Sequence, residues 1–385
     1  MADGGWRRWA VVASLARLPA VMAPFGLLLA GREATGSFAN GAWLVSVYAV
    51  GAAAAAPFRG RALDRAGLPG ALRRVLLYEA LVLAALGAAA AAKAPLAVLL
   101  ALALAFGVVP AGALGGVRAL LASIARGPSL ESAFALDAAM FELLWVVGPL
   151  FVGASAALDA PLAALAVMAL SALGAAALAG RLPARAEPAP ASGAPLAGDL
   201  WRLPGVGVIL AVSLSFGVSW GALEAGLPPK LEQLGAKAAF WGVLSALLAA
   251  ASACGGLVYA LLPKAENEAA ARRRVLGLAA AWACLLSPSA WASSPLALSI
   301  WFTGAGFVLA PLAAQLTSSL QRVLPPTRHA EGFAMYGACW SAGMAAGTAL
   351  AGATLGRFGP GPLLVLAPLL PFAASLGSAA RPRWG

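Results

Sequence analysis

The sequence predicts an all-α membrane protein of twelve spanning helices, and three observations carry that expectation. Of 385 residues, 62% are hydrophobic and only 11% are charged, with a mean hydropathy of +0.86. Soluble domains usually carry about 25% charged residues, so the polar residues here are too few to cover a water-facing surface. The same apolar content excludes disorder. The apolar residues also gather into segments of about 20, the length a helix needs to cross the hydrocarbon core.

The expected spans run over 9–30, 38–57, 75–92, 95–117, 132–157, 161–180, 204–227, 239–262, 275–292, 295–318, 331–355 and 361–379. Pro and Gly punctuate the gaps, as in Lys93-Ala94-Pro95, Asp159-Ala160-Pro161 and Phe358-Gly359-Pro360. Span 75–92 is nearly continuous Ala and Leu, so its composition rather than its periodicity assigns it. Residues 182–203 are rich in Pro, Ala and Gly with no apolar periodicity, which is linker composition. They separate an expected N-terminal six-helix bundle, 1–181, from a C-terminal one, 204–385. The two halves show no residue-level repetition.

The net charge of +11 would suggest a nucleic-acid partner on a soluble protein. Topology accounts for it here. With the N-terminus in the cytoplasm, 20 Lys and Arg fall on inside segments, 5 on outside segments, and Arg17 lies within a span. The positive-inside rule therefore places both termini in the cytoplasm, and no nucleic acid is needed. Arg7 and Arg8 before an apolar run resemble a signal peptide, but Arg17 interrupts the run and no clean cleavage pattern follows, so a retained first helix is expected. Cys254, Cys284 and Cys339 stand far apart in apolar stretches, and His329 is the only histidine. No disulfide scaffold, metal site or cofactor is expected from this set. HExxH, GxSxG and Walker A patterns are all missing, so neither an enzyme nor an ATPase is predicted.

The loop expected after span two reads Gly60-Arg61-Ala62-Leu63-Asp64-Arg65-Ala66-Gly67. It resembles the Gly-x-x-x-Asp-Arg-x-Gly loop signature of the major facilitator superfamily, at the position where that family carries it. The resemblance implies two six-helix bundles related by a pseudo-two-fold axis. It also implies a latch role for Gly60, Asp64, Arg65 and Gly67, holding one conformation and releasing in another. Leu68-Pro69 departs from the pattern, where further basic residues are usual; Arg73 and Arg74 follow a few positions late. In span five, Gly148-Pro149 and Gly153 partly resemble the Gly-Pro motif of the superfamily's antiporters, with valine at 152 and leucine at 144 where glycines are usual. Helix four lacks the arginine usual in proton-coupled drug antiporters, having Arg118 near the cytoplasmic end instead. Gly343 and Gly347 form a GxxxG pair, which lets helix backbones touch.

Ionisable residues within spans cost about 2.5–3.5 kcal/mol each at the bilayer centre, so their presence asks for a role. Arg17, Arg118, Asp137, Glu142 and Glu224 are the candidates for coupling. Arg17 sits roughly 12 Å into span one and Glu142 roughly 15 Å into span five, by helical rise. These matched depths suggest an Arg17–Glu142 ion pair. Glu79, near the cytoplasmic end of span three, is expected to snorkel. Ser213, Phe216, Trp220 and Glu224 share one face of span seven. In the superfamily, helices one, four, seven and ten line the central cavity. The resemblance thus places that face on the substrate path, with Trp301 and Gln315 of span ten and Met22 and Phe25 of span one as further lining candidates.

These readings predict a secondary transporter for a small amphiphilic or hydrophobic molecule, working by alternating access and exporting its substrate, with coupling to protons as a further expectation. An importer or facilitator on the same fold is the alternative; a transport-inactive scaffold or lipid-handling bundle is a further one. The surplus of Ala and of Arg over Lys suggests a GC-rich bacterial genome, hence a multi-pass protein of the inner membrane in contact with lipid; a monomer is expected. Asp64→Asn is expected to shift the inward–outward equilibrium, measured by spin-label distances across the two halves. An unchanged distance distribution with unchanged activity removes the latch.

Overall fold

The structure, a computed structural model, describes residues 4–65, 68–124, 129–182, 203, 205–237, 240–263, 265, 267–324 and 329–379. The described residues are helical, with no strand among them. The chain divides into two compact units, Met1–Gly193 and Ala194–Gly385. Nearly all of the expected linker, 182–203, lies outside the described residues.

The first unit contains α1 (Gly4–Thr35), α2 (Phe38–Arg65), α3 (Leu68–Ala91), α4 (Leu96–Val108), α5 (Ala113–Ile124), α6 (Ser129–Ala157) and α7 (Ala163–Ala179). The second contains α8 (Val206–Gln233), α9 (Phe240–Leu261), α10 (Glu268–Leu286), a 3-10 turn (Ser287–Trp291), α11 (Pro295–Val323), α12 (His329–Phe358), α13 (Gly361–Leu366) and α14 (Leu369–Ala379). Among the described residues, six helices have the length and composition to cross a membrane alone, including Gly5–Thr35, Val206–Gln233 and Pro295–Val323. Shorter apolar helices such as Leu96–Val108 and Ala163–Ala179 accompany them.

Several elements depart from expectation, each for a local reason. The segment Gly60–Arg65, expected as a loop, is the end of α2. Leu63 anchors it there, 4% exposed, in a core cluster with Trp9, Leu72 and Leu120. The span expected over 95–117 is two helices, α4 and α5. Pro110 has no N–H to continue the ladder, and Gly112 takes φ +85°, a conformation that breaks the helix and favours glycine. The last span likewise divides into α13 and α14 next to Pro368. Helix α10 starts seven residues before the expected span because Asn267 caps it, accepting from the Ala270 N–H at 2.9 Å. Helix α8 continues through Pro228-Pro229 and closes at Gly235, φ +70°, with the Ala236 N–H on the Leu231 carbonyl.

The most extensive packing between two helices lies between α8 and α12. A Cβ on Gly217 or Gly221 of α8 would meet the Trp340 or Met344 carbonyl at 2.3 Å. A Cβ on Gly343 or Gly347 of α12 would meet the Leu214 or Val218 carbonyl at 2.2 Å. Two GxxxG faces thus interlock, since lipid tails offer helices no hydrophobic drive to associate and close van der Waals approach supplies it. In the first unit, Trp9 of α1 is fully buried and donates its indole N–H to the Val117 carbonyl of α5 at 2.8 Å.

Gly347→Ala is expected to lower the melting temperature in detergent, at a cost of about 1–3 kcal/mol for overpacking. Gly337→Ala, which meets nothing within 4 Å, is expected to be neutral or slightly stabilising. Equal effects of the two substitutions in a thermal unfolding series contradict the interlocked face.

Candidate functional site

The first unit buries an ion pair. Arg17 of α1 donates from Nη1 to Oδ1 of Asp137 on α6 at 2.5 Å, and the two residues are 3% and 0% exposed. The Arg17 guanidinium also lies over the Phe141 ring, 5.4 Å from its centroid. Phe141 in turn meets Trp145 edge-on at 6.3 Å. Asp137, Phe141 and Trp145 follow at four-residue spacing, so one face of α6 supplies the carboxylate and then an aromatic wall. One turn further along α1, Val21 and Met22 press on Gly148, where a Cβ would stand 2.9 Å from Val21 Cγ1. Gly148 and Pro149 are buried, as is Gly153. This glycine is what lets α1 and α6 close on each other around the ion pair.

The acceptor for Arg17 is therefore Asp137, where depth counting suggested Glu142. That count took each expected span start as a common level. Counted from the observed helix starts Gly4 and Ser129, Arg17 and Glu142 still match and Asp137 does not, so the starts of the two helices do not mark a common level. The side chains of Glu142, Arg118, Asp64 and Arg65 lie outside the described residues, as does Gly67. Met22 and Phe25 are buried within the first unit, at 0% and 3% exposure.

Glu79 does not snorkel. It is 2% exposed in α3, with Oε2 lacking a hydrogen-bond partner and its charge within electrostatic reach of Tyr48 on α2. Tyr48 itself stacks on Phe106 of α4 at 4.7 Å. Arg59, counted from sequence among the cytoplasmic loop bases, sits within α2 and donates from Nη2 to the Val109 carbonyl at 2.7 Å. It thereby caps the broken end of α4, satisfying one acceptor that Pro110 and Gly112 release.

In the second unit, the face of α8 holding Ser213, Phe216, Trp220 and Glu224 turns onto its own bundle. Ser213 donates to the Tyr336 carbonyl of α12 at 3.3 Å. Phe216 meets Trp282 of α10 and Trp340 of α12 edge-on, at 4.9 and 5.0 Å. Trp220 lies 6.2 Å from Trp282 and 6.4 Å from Trp340, with interplanar angles of 27° and 37°. Trp282 donates its indole N–H to Ser219 Oγ at 3.0 Å, which fixes its ring. Glu224 follows one turn after Trp220, 4% exposed, and interacts with that indole; neither carboxylate oxygen has a well-formed hydrogen bond.

Gln315 of α11 is buried in a polar chain. The Tyr259 hydroxyl of α9 donates to its Oε1, and its Nε2 donates to Ser319 Oγ at 3.0 Å. Arg322 completes the chain, donating to Ser319 Oγ at 3.4 Å and to the Ala265 carbonyl at 3.2 Å. Trp301, expected on the same side of α11, is 37% exposed and does not join this chain. Lys230 was not singled out from sequence. It is 9% exposed and donates to the Ala290 carbonyl at 2.7 Å, tying the end of α8 to the 3-10 turn. No group of three metal-ligating side chains occurs among the described residues.

Compared by sequence, no family model and no curated protein matches the chain. Compared by structure, it is similar to known transporters over nearly its whole length. The nucleoside transporter NupG superposes with a TM-score of 0.78 at 11% identity, covering 98% of this chain and 99% of that one. A bacterial homologue of the human lysosomal transporter Spinster, inward-facing and unoccupied, gives 0.73 at 14% identity, covering 98% of each chain. A bacterial homologue of the iron transporter ferroportin, also inward-facing, gives 0.74 at 14% identity and 98% of each chain. The all-helical chain is thus built on the fold of the major facilitator superfamily transporters.

Proposed function

We propose that the chain is a secondary transporter that moves a small amphiphilic or hydrophobic molecule by alternating access, its two six-helix halves rocking about a substrate site. The direction proposed is export, and the coupling proposed is to protons. The observation that carries the coupling is the buried Arg17–Asp137 pair joining α1 to α6. A charge pair inside a spanning bundle is costly to place, because its desolvation offsets much of its attraction. Such groups in membrane helices mark ion pathways and switches more often than scaffolding. A proton on Asp137 removes the carboxylate charge, frees Arg17 and unfastens α1 from α6. The fold similarity and the apolar, aromatic surroundings of the described polar residues support the substrate class; few hydrogen-bonding groups are available for a sugar or a phosphate. We propose a monomer of the bacterial inner membrane, and the positive-inside count supports its orientation, with both termini cytoplasmic.

The pair is tested by removing one partner and then both. Asp137→Asn leaves a buried guanidinium uncompensated and is expected to destabilise the protein by about 3–5 kcal/mol. Arg17→Met with Asp137→Leu removes both charges and is expected to stay close to wild-type stability. In proteoliposomes, this double variant is expected to exchange substrate across the membrane but to lose accumulation driven by a pH gradient. Full gradient-driven accumulation by the double variant overturns proton coupling through the pair.

A further inference from the structure

We propose that the second unit binds an organic cation, through the Glu224 carboxylate and the ring faces of Trp220 and Trp340. The proposal rests on the transport reading above and names the charge of the cargo.

Two observations carry it. The first is a buried carboxyl group without a partner among the described residues. Asp137 in the first unit is answered by Arg17, but Glu224 is buried with no salt bridge and no well-formed hydrogen bond to either oxygen. The described bases of the second unit are engaged elsewhere or stand far along the helices. Lys230 is spent on the Ala290 carbonyl, Arg322 on Ser319 and the Ala265 carbonyl, and Arg357 lies over Phe358. Arg272, Arg273 and Arg274 occupy the second turn of α10, two to three turns before Trp282. An uncompensated carboxylate within a spanning helix is unfavourable, so the site gains by taking up a positive charge.

The second observation is aromatic and distinguishes an organic cation from a bare proton. Trp220 precedes Glu224 by one helical turn and faces Trp340 across α8 and α12. Both rings are partly exposed, whereas Phe216 and Trp282 beneath them are fully buried and hold them in place. Indole faces attract a cation more strongly than any other side-chain ring. Paired with a carboxylate, they suit a tertiary or quaternary ammonium carrying an apolar body. A neutral amphiphile of the same shape would leave Glu224 unmatched.

The experiment titrates the purified full-length protein in nanodiscs with phenyltrimethylammonium and with its uncharged isostere, tert-butylbenzene, reading tryptophan fluorescence. The cation is expected to quench saturably. Glu224→Gln is expected to raise its Kd at least tenfold while leaving the isostere unaffected, and Trp340→Leu to raise it several-fold. Should Glu224→Gln fail to fold, Glu224→Asp, which keeps the charge, is expected to bind the cation with an intermediate Kd and the isostere as wild type does. Equal weakening of both ligands, unchanged cation affinity in the Glu224 variants, or no saturable cation quenching in folded wild-type protein overturns the proposal. Saturable binding of the isostere without the cation would remove the cation site and leave the transport reading standing. Cation binding through Glu224 without movement across proteoliposomes would do the reverse.

Discussion

Hydrocarbon offers no hydrogen bonds, and nearly every feature of this chain answers that fact. Backbone groups exposed to lipid must be satisfied within their own segment, so the spanning parts are helices. Where a helix is interrupted, the released groups find partners inside the protein. Val109 at the broken end of α4 accepts from Arg59, and the 3-10 turn after α10 presents Ala290 to Lys230. Long basic side chains thus complete the backbone bookkeeping that regular helix cannot.

The same solvent decides how the helices hold together. Without water to squeeze apolar faces together, association depends on how closely backbones approach. At α8 and α12 four glycines bring each backbone against the other's carbonyls. A comparable contact occurs at α9 and α11, where a Cβ on Gly255 would stand 2.0 Å from the Phe307 carbonyl. Polar side chains then act within this tight framework. The Tyr259–Gln315–Ser319–Arg322 chain is fully connected, whereas Glu79 and Glu224 retain unmatched oxygens. Each unit therefore holds a buried carboxyl group without a full set of partners, and the first also holds a carboxylate matched by Arg17.

Composition made the helical membrane class legible before any residue was placed. Asp137 and Arg17 were both visible as charges out of place, but their pairing was not, because helices extend past the membrane by amounts hydropathy does not report. Gly343 and Gly347 were legible as a packing face. Their counterpart, Gly217-Val-Ser-Trp-Gly221, was just as regular in sequence but went unread, since which two helices meet is a non-local matter. The break after α4 had its signal in Pro110 and Gly112, masked by an otherwise unbroken apolar run. Glu79 stands near the end of its expected span, within reach of water by sequence, yet it is buried, because which neighbouring helices cover a position is a tertiary matter. The Ser213–Glu224 face was read from its polar residues as the substrate path, and periodicity has no means of telling a bundle's interior from its cavity.

The bond from Arg59 to Val109 joins two places of interest in the first unit. Arg59 immediately precedes Gly60–Arg65, the segment resembling the superfamily's loop signature, and Val109 closes the first half of an interrupted helix. A side chain reaching from one to the other makes them a single mechanical linkage. Twisting the last turns of α2 must either drag the end of α4 along or surrender its cap and leave a carbonyl bare. The interrupted helix and the end of α2 therefore share one strut, and a displacement that begins at either of them is felt at both.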